Sequence, residues 1–168
     1  MRDVCRYHHG IDKNKILRAV NLVVPKSKTI REFGLVFVSP QKMAELNLKY
    51  RRQNKPTNIL SFAGLSRELG SGDPFKSVQG RPEWSRTGDP FKSVQGRPER
   101  SRTGDVVVCP KVAVAEAKKY GFTQKNWMTR LIVHAILHLA GYDHKTQRAE
   151  LEMERLENKT CEKLGVLI

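Results

Sequence analysis

Apolar residues recur along this chain with two different periods. Ile16, Leu17, Val20 and Val24 follow the three-and-four spacing of a helix face, which predicts an amphipathic helix over about 13–24, stopped by Pro25. Leu35, Val36, Phe37 and Val38 run uninterrupted within 33–39, the composition of a buried strand. Ser39-Pro40 then reads as a helix cap followed by proline in the first turn, with Met43 and Leu46 facing the core. Residues 57–62 and 105–109, the latter with three consecutive valines, predict two further strands. Pro110 opens a helix to about Tyr120, with Val112, Ala113, Glu116 and Ala117 spaced for it, and Gly121 closes it. A helix over 124–140 turns Trp127, Leu131 and Ile132 inward. Ala149, Met153, Leu156 and Leu164 mark a last helix, and Glu150, Glu152, Glu154 and Glu157 on it read as a solvated acidic face.

Between the second and third strands the periodicity fails. Residues 72–87 read GDPFKSVQGRPEWSRT and 88–103 read GDPFKSVQGRPERSRT, identical at 15 of 16 positions, with Trp84 against Arg100 the one difference. Two copies rich in Gly, Pro, Ser and charge, with no apolar repeat, cannot stack a core, so the doubled segment reads as a disordered loop inserted into an existing connection. Joining Ser71 to Gly104 restores a loop of ordinary length. The rest forms one domain over 1–168, large enough for a single core.

The formal net charge of +14 favours a polyanionic partner, with RNA or DNA foremost. The insertion holds seven Lys/Arg and four Asp/Glu, so +11 of that charge belongs to the body of the protein. Cys5, Cys109 and Cys161 form no C-x-x-C pair and no even framework, which fits a reducing interior. There is no apolar leader at the N-terminus and no apolar run near the roughly eighteen residues of a membrane span, so a soluble cytoplasmic protein with no membrane partner is expected.

The chemistry concentrates in His134-Ala-Ile-Leu-His138-Leu-Ala-Gly141-Tyr-Asp-His144, which carries three of the five histidines. His134 and His138, four apart, share one helix face. A continuing helix would carry residue 144 about 15 Å beyond His134, so the helix has to end, and Gly141 stands where a left-handed cap would let His144 return. Three neutral nitrogens with a fourth position left over suit catalytic zinc, whose bound water ionises near pH 7. Zinc proteases with the same histidine spacing place a glutamate general base after the first histidine. Here that position is Ala135, which argues against a peptidase.

The histidine segment resembles the H-G-x-L-H-L-x-G-Y-D-H motif of the YbeY family, bacterial endoribonucleases of ribosomal RNA maturation. Leu46-Asn-Leu-Lys-Tyr-Arg51 and Pro56-Thr-Asn-Ile-Leu-Ser-Phe62 are similar to its L-N-x-x-Y-R and P-T-N/D-V-L-S-F segments, and Gly104-Asp-Val-Val-Val108 to its G-D-I-V-I strand. The resemblance covers roughly 33–164 apart from the insertion. It implies a small α+β domain, a mixed sheet of about four strands covered by helices, and a cleft in which His134, His138 and His144 hold one zinc. It implies Arg51 as the catalytic arginine, and single-strand-specific endoribonuclease activity in 16S rRNA processing and ribosome quality control, with single-stranded RNA, ribosomal RNA and the small subunit as partners. Ala135 and Ala63 replace the family's usual glycine and proline, and the insertion leaves a loop near the cleft.

On the residues alone, a planar arginine fork suits phosphorane charge, and the run from Tyr50 to Lys55 offers three cations and one aromatic able to stack a base. Asp105 and Asp143 are candidates for orienting a ligand imidazole, or equally a strand-end and a turn carboxylate. The alternative function is a non-catalytic, zinc-stabilised assembly factor that only binds rRNA.

Overall fold

Among the described residues five α-helices enclose a small mixed sheet. The structure, a computed structural model, describes residues 11–63 and 102–166. In chain order these form α1 (Lys13–Val23), a 3-10 turn (Lys26–Lys28), β1 (Ile30–Phe37), α2 (Pro40–Arg51), β2 (Ile59–Ala63), β3 (Arg102–Val108), α3 (Pro110–Lys119), α4 (Gln124–Leu139) and α5 (Gln147–Leu164). β3 lies centrally, parallel to β1 and antiparallel to β2. The α+β class is as expected, but among the described residues the sheet has three strands and not four. The described residues outside it carry helical spacing or short turns, and no other run offers apolar residues to a fourth ladder.

The boundaries follow local chemistry. Ser39, Thr123 and Thr146 each accept a hydrogen bond from the backbone N–H three residues on, capping α2, α4 and α5. Asp12 does the same for α1. β1 begins three residues earlier than expected because the Asn21 carboxamide brackets Ile30, donating to its carbonyl at 2.7 Å and accepting from its N–H at 2.9 Å. β3 begins earlier as well: Arg102 and Thr103, the last residues of the second repeat copy, pair with Ile30 and Glu32. The disorder expected for 72–103 otherwise concerns residues outside the described part.

Alternation along the strands sends side chains to two cores. Val106 and Val108 of β3, with Phe33 and Phe37, pack against Ile132, Val133 and Ile136 of α4 and the apolar faces of α1 and α5. Val107, Leu60 and Val38 face Met43 and Leu46 of α2 on the other side. Full burial of one such aliphatic side chain stabilises by about 1.5–3 kcal/mol, so the three central valines, each at most 2% exposed, hold both layers on one strand.

Gly104 lets α4 approach the sheet. A methyl group there would stand 2.6 Å from Leu139 Cδ2 and 2.6 Å from the Phe62 carbonyl oxygen. Gly104→Ala is therefore expected to cost about 1–3 kcal/mol, read from the denaturation midpoint; an unchanged midpoint would refute this close packing. β2 and β3 are adjacent antiparallel strands separated by 38 residues, and without the doubled segment only the 8 residues 64–71 lie between Ala63 and Gly104. Closure entropy grows only logarithmically with length, a difference of roughly 1–2 kcal/mol here. Deleting 72–103 should leave folding and metal binding intact, measured by circular dichroism and metal analysis; an aggregating deletion variant would show that the segment is part of the core.

Candidate metal centre

The last turn of α4 builds the site. Gly141 adopts φ 84°, and the Gly141 and Tyr142 N–H groups donate to the carbonyls of His138 and Leu137, the paired bonds of a left-handed helix cap. This reversal carries the Tyr142 carbonyl back over the helix end, where His138 Nδ1 donates to it at 3.0 Å. Asp143 accepts from the Lys145 N–H at 3.3 Å, tightening the turn that returns His144. The ammonium of Lys28 lies 3.8 Å from the centroid of the buried Tyr142 ring. The three imidazoles thereby come together as expected, with one nitrogen from each within 4.8 Å of the others.

Their hydrogen bonds decide which nitrogens are available. His134 Nδ1 lies 3.0 Å from a carboxylate oxygen of Glu157, and a carboxylate, like the Tyr142 carbonyl, accepts. Each ring therefore directs its Nδ1 proton to an acceptor on the far side, which leaves the two Nε2 atoms, 3.0 Å apart, as the nitrogens available to a metal ion. Two lone pairs at that distance repel unless a proton or a metal ion lies between them, so the pair is set to share a cation. A tetrahedral ion about 2.0–2.1 Å from each nitrogen requires them about 3.4 Å apart, so the pair is close to a ligating geometry. His144, the exposed member, has the freedom to adjust. His138 is neutral at physiological pH, its pKa lowered to about 4 by burial and then by His134, partly opposed by the Tyr142 carbonyl and by Asp143. The donor set fits a metal ion.

Glu157 is the residue that sequence reasoning missed. It is buried and not part of a solvated face: besides His134 it pairs with Arg130 Nε at 2.7 Å. Glu150, Glu152 and Glu154 are exposed, as expected. The signal was present, since Glu157 falls on the same α5 stripe as Met153, Leu156, Thr160 and Cys161, where a lone carboxylate has to find partners.

The other candidates lie apart. Asp105 is buried, with a carboxyl pKa raised by desolvation, and it shares the α2 face of the sheet with Phe62 and Val107, opposite α4. It abuts Gly34, where a methyl group would collide with its carboxylate. Asp143 lies close enough for its charge to act on His138. Arg51 ends α2 with an exposed side chain, and no hydrogen bond or ion pair among the described residues joins it to the imidazoles. The chain turns sharply after it: Arg52 takes φ 57°, and buried Asn47 donates to the Lys55 carbonyl at 2.7 Å. Tyr50 packs edge-on against Phe62, ring centroids 4.9 Å apart. Ala135 is 1% exposed in the core, so nothing at the protease base position faces the histidines.

The chain matches the sequence model of the family described as Endoribonuclease YbeY over residues 7–165. It is 33% identical over 137 residues to the endoribonuclease YbeY of Bartonella quintana (strain Toulouse), covering 82% of this chain and 70% of that protein. The endoribonuclease YbeY of Buchnera aphidicola subsp. Schizaphis graminum is 31% identical over 156 residues, covering 92% and 81%. That of Thermodesulfovibrio yellowstonii is 31% identical over 148 residues, covering 88% and 76%.

Losing the carboxylate behind a ligand imidazole typically weakens metal binding 10- to 100-fold. Glu157→Ala is expected to show that loss in competition with a chromophoric chelator, and Glu157→Gln, which keeps an acceptor oxygen, a smaller one. Wild-type metal affinity in the alanine variant would reduce the contact to simple packing.

Proposed function

The chain belongs to the endoribonuclease YbeY family, and from that premise we propose that it is a zinc-dependent, single-strand-specific endoribonuclease acting in 16S rRNA maturation and ribosome quality control. The observation that carries the reading is the convergence of three imidazole nitrogens within 4.8 Å, two of them turned inward by acceptors on their far sides. Zinc matches an all-nitrogen set that leaves one coordination position over. The relatives' shared name supports RNA as the substrate, and the net charge of +14 supports a polyanion. Free, buried Cys109 and Cys161 are consistent with a reducing cytoplasm, where the small ribosomal subunit is the proposed partner. Among the described residues no helix is long and apolar enough to cross a membrane.

His134, His138 and His144 would hold the ion, which when bound supplies Lewis acidity and brings water ionisation toward neutral pH. Glu157 and the Tyr142 carbonyl fix the two helical rings in the tautomer that ligates. Asp143 is proposed to set the return of His144 through its turn, and Asp105 to act only indirectly, through the sheet. Arg51 is assigned the phosphate: its planar fork offers paired N–H donors to two oxygens and stays charged at any physiological pH. Its exposure and its place at the head of the basic run through Lys55 support that assignment.

His138→Ala is expected to abolish both the one-equivalent zinc content and cleavage of single-stranded RNA. Arg51→Ala should keep zinc and lose about 10²- to 10³-fold in cleavage rate, the usual cost of removing a donor to developing charge. Metal analysis and RNA cleavage on the same preparation check both variants, and full activity in the arginine variant would remove Arg51 from its role. Salt-sensitive RNA binding without metal-dependent cleavage would replace the enzyme with a zinc-stabilised assembly factor.

A further inference from the structure

Tyr120 closes α3 and is 55% exposed, the largest exposure of any aromatic side chain among the described residues. It does not stand alone. The cap at Gly121 folds the chain so that the Phe122 N–H donates to the Ala117 carbonyl, and the rings of Tyr120 and Phe122 each lie 5.2 Å from that of Trp127 at the start of α4. Trp127 is fixed in turn: its indole N–H donates to Glu116 at 3.2 Å, and the Asn58 carboxamide donates to the same oxygen at 2.8 Å. The result is an aromatic ledge on a rigid base, with Tyr120 as its exposed rim.

The charge around this ledge is one-sided. Residues 110–139 contain Lys111, Lys118, Lys119, Lys125 and Arg130 against a single carboxylate, Glu116, and Glu116 is occupied within the ledge. The four lysines are exposed, and the Lys119 ammonium lies 5.4 Å from the Tyr120 centroid, so the ring already borders a cation. Trp127 and His134 are seven residues apart on α4, two turns along one stripe, about 10 Å at 1.5 Å per residue. The base of the ledge and a ligand of the metal centre therefore stand on one stripe of one helix.

We propose that the α3–α4 turn is a binding track for single-stranded RNA, in which a base stacks on Tyr120 while Lys118, Lys119 and Lys125 neutralise the flanking phosphates. A solvent-exposed ring among cations is the combination that holds single strands without sequence preference, because every base has a stacking face and every nucleotide a charge. A duplex, whose bases already stack on one another, has no free base to place there. The inference rests on the RNA reading of the metal site and adds a point of attachment at a distance from the reacting phosphate.

Fluorescence anisotropy of a labelled uridine dodecamer tests it, with metal-loaded full-length protein kept on ice and the RNA checked for integrity afterwards. Tyr120→Ala is expected to weaken binding between about fivefold and a hundredfold, and Tyr120→Phe, which keeps the stacking face, to restore it. Replacing Lys118, Lys119 and Lys125 by Ala should flatten the plot of log affinity against log salt by about 0.7 for each phosphate left without its lysine. All these variants should keep wild-type metal content. Wild-type affinity in Tyr120→Ala, or equal losses in the Ala and Phe variants, would overturn the stacking role; an unchanged salt slope would overturn the lysines' role. Equal affinity for a glutamate peptide of the same length would overturn the assignment to nucleic acid. A wild-type protein that binds no single-stranded RNA would sink the reading of the metal site as a nuclease, an outcome distinct from the loss of the ledge alone.

Discussion

Two imidazole Nε2 atoms 3.0 Å apart, each ring's Nδ1 turned to an acceptor on the far side, are the constraint around which the histidine end of this protein is arranged. The fold holds that approach in place from the far side of each ring. It does so with a backbone carbonyl delivered by the helix cap and a carboxylate delivered by the neighbouring helix. Neither acceptor can be exchanged for a donor without turning a ring over.

The supports of that constraint reach well into the core. Glu157 is held by Arg130 as well as by His134, so the packing of α5 against α4 and the orientation of a ligand are one interaction. A buried carboxylate with a cationic partner and an imidazole donor avoids most of the penalty of its burial. On its sheet side, α4 sits where Gly104 has no side chain to hold Leu139 away, one residue past His138. Metal affinity and global stability are therefore coupled in this chain, through residues that touch no metal.

Charge is distributed with the same economy. Five of the eleven carboxylates of the described part lie on α5, where one is consumed by the site and the others face solvent, while the stretch from α3 to the end of α4 is cationic. The side that carries the aromatic ledge is thus the one suited to the polyanion proposed above. The basic run after α2, braced by buried Asn47, adds a second cationic segment on the other layer.

Much of this was legible in the chain itself. Local signals act over a few residues and survive without tertiary context, so the caps at Ser39, the proline starts at Pro40 and Pro110, the reversal at Gly141 and the convergence of His134, His138 and His144 all follow from spacing and backbone preference. The long-range terms do not. Nothing local shows that Asn21 extends β1 to Ile30 or that the end of a repeat supplies the first rungs of β3. Nor does it show that Glu157 leaves an apparently solvated run to orient a histidine 23 residues away, or that Tyr50 gives its ring to Phe62 while Tyr120 keeps its own exposed. Sequence determined which atoms could bind a metal, because helix period and the glycine cap are properties of the backbone. Only the tertiary structure decided which way those atoms point, because a ring's tautomer is set by whatever acceptor the rest of the fold brings to its other side.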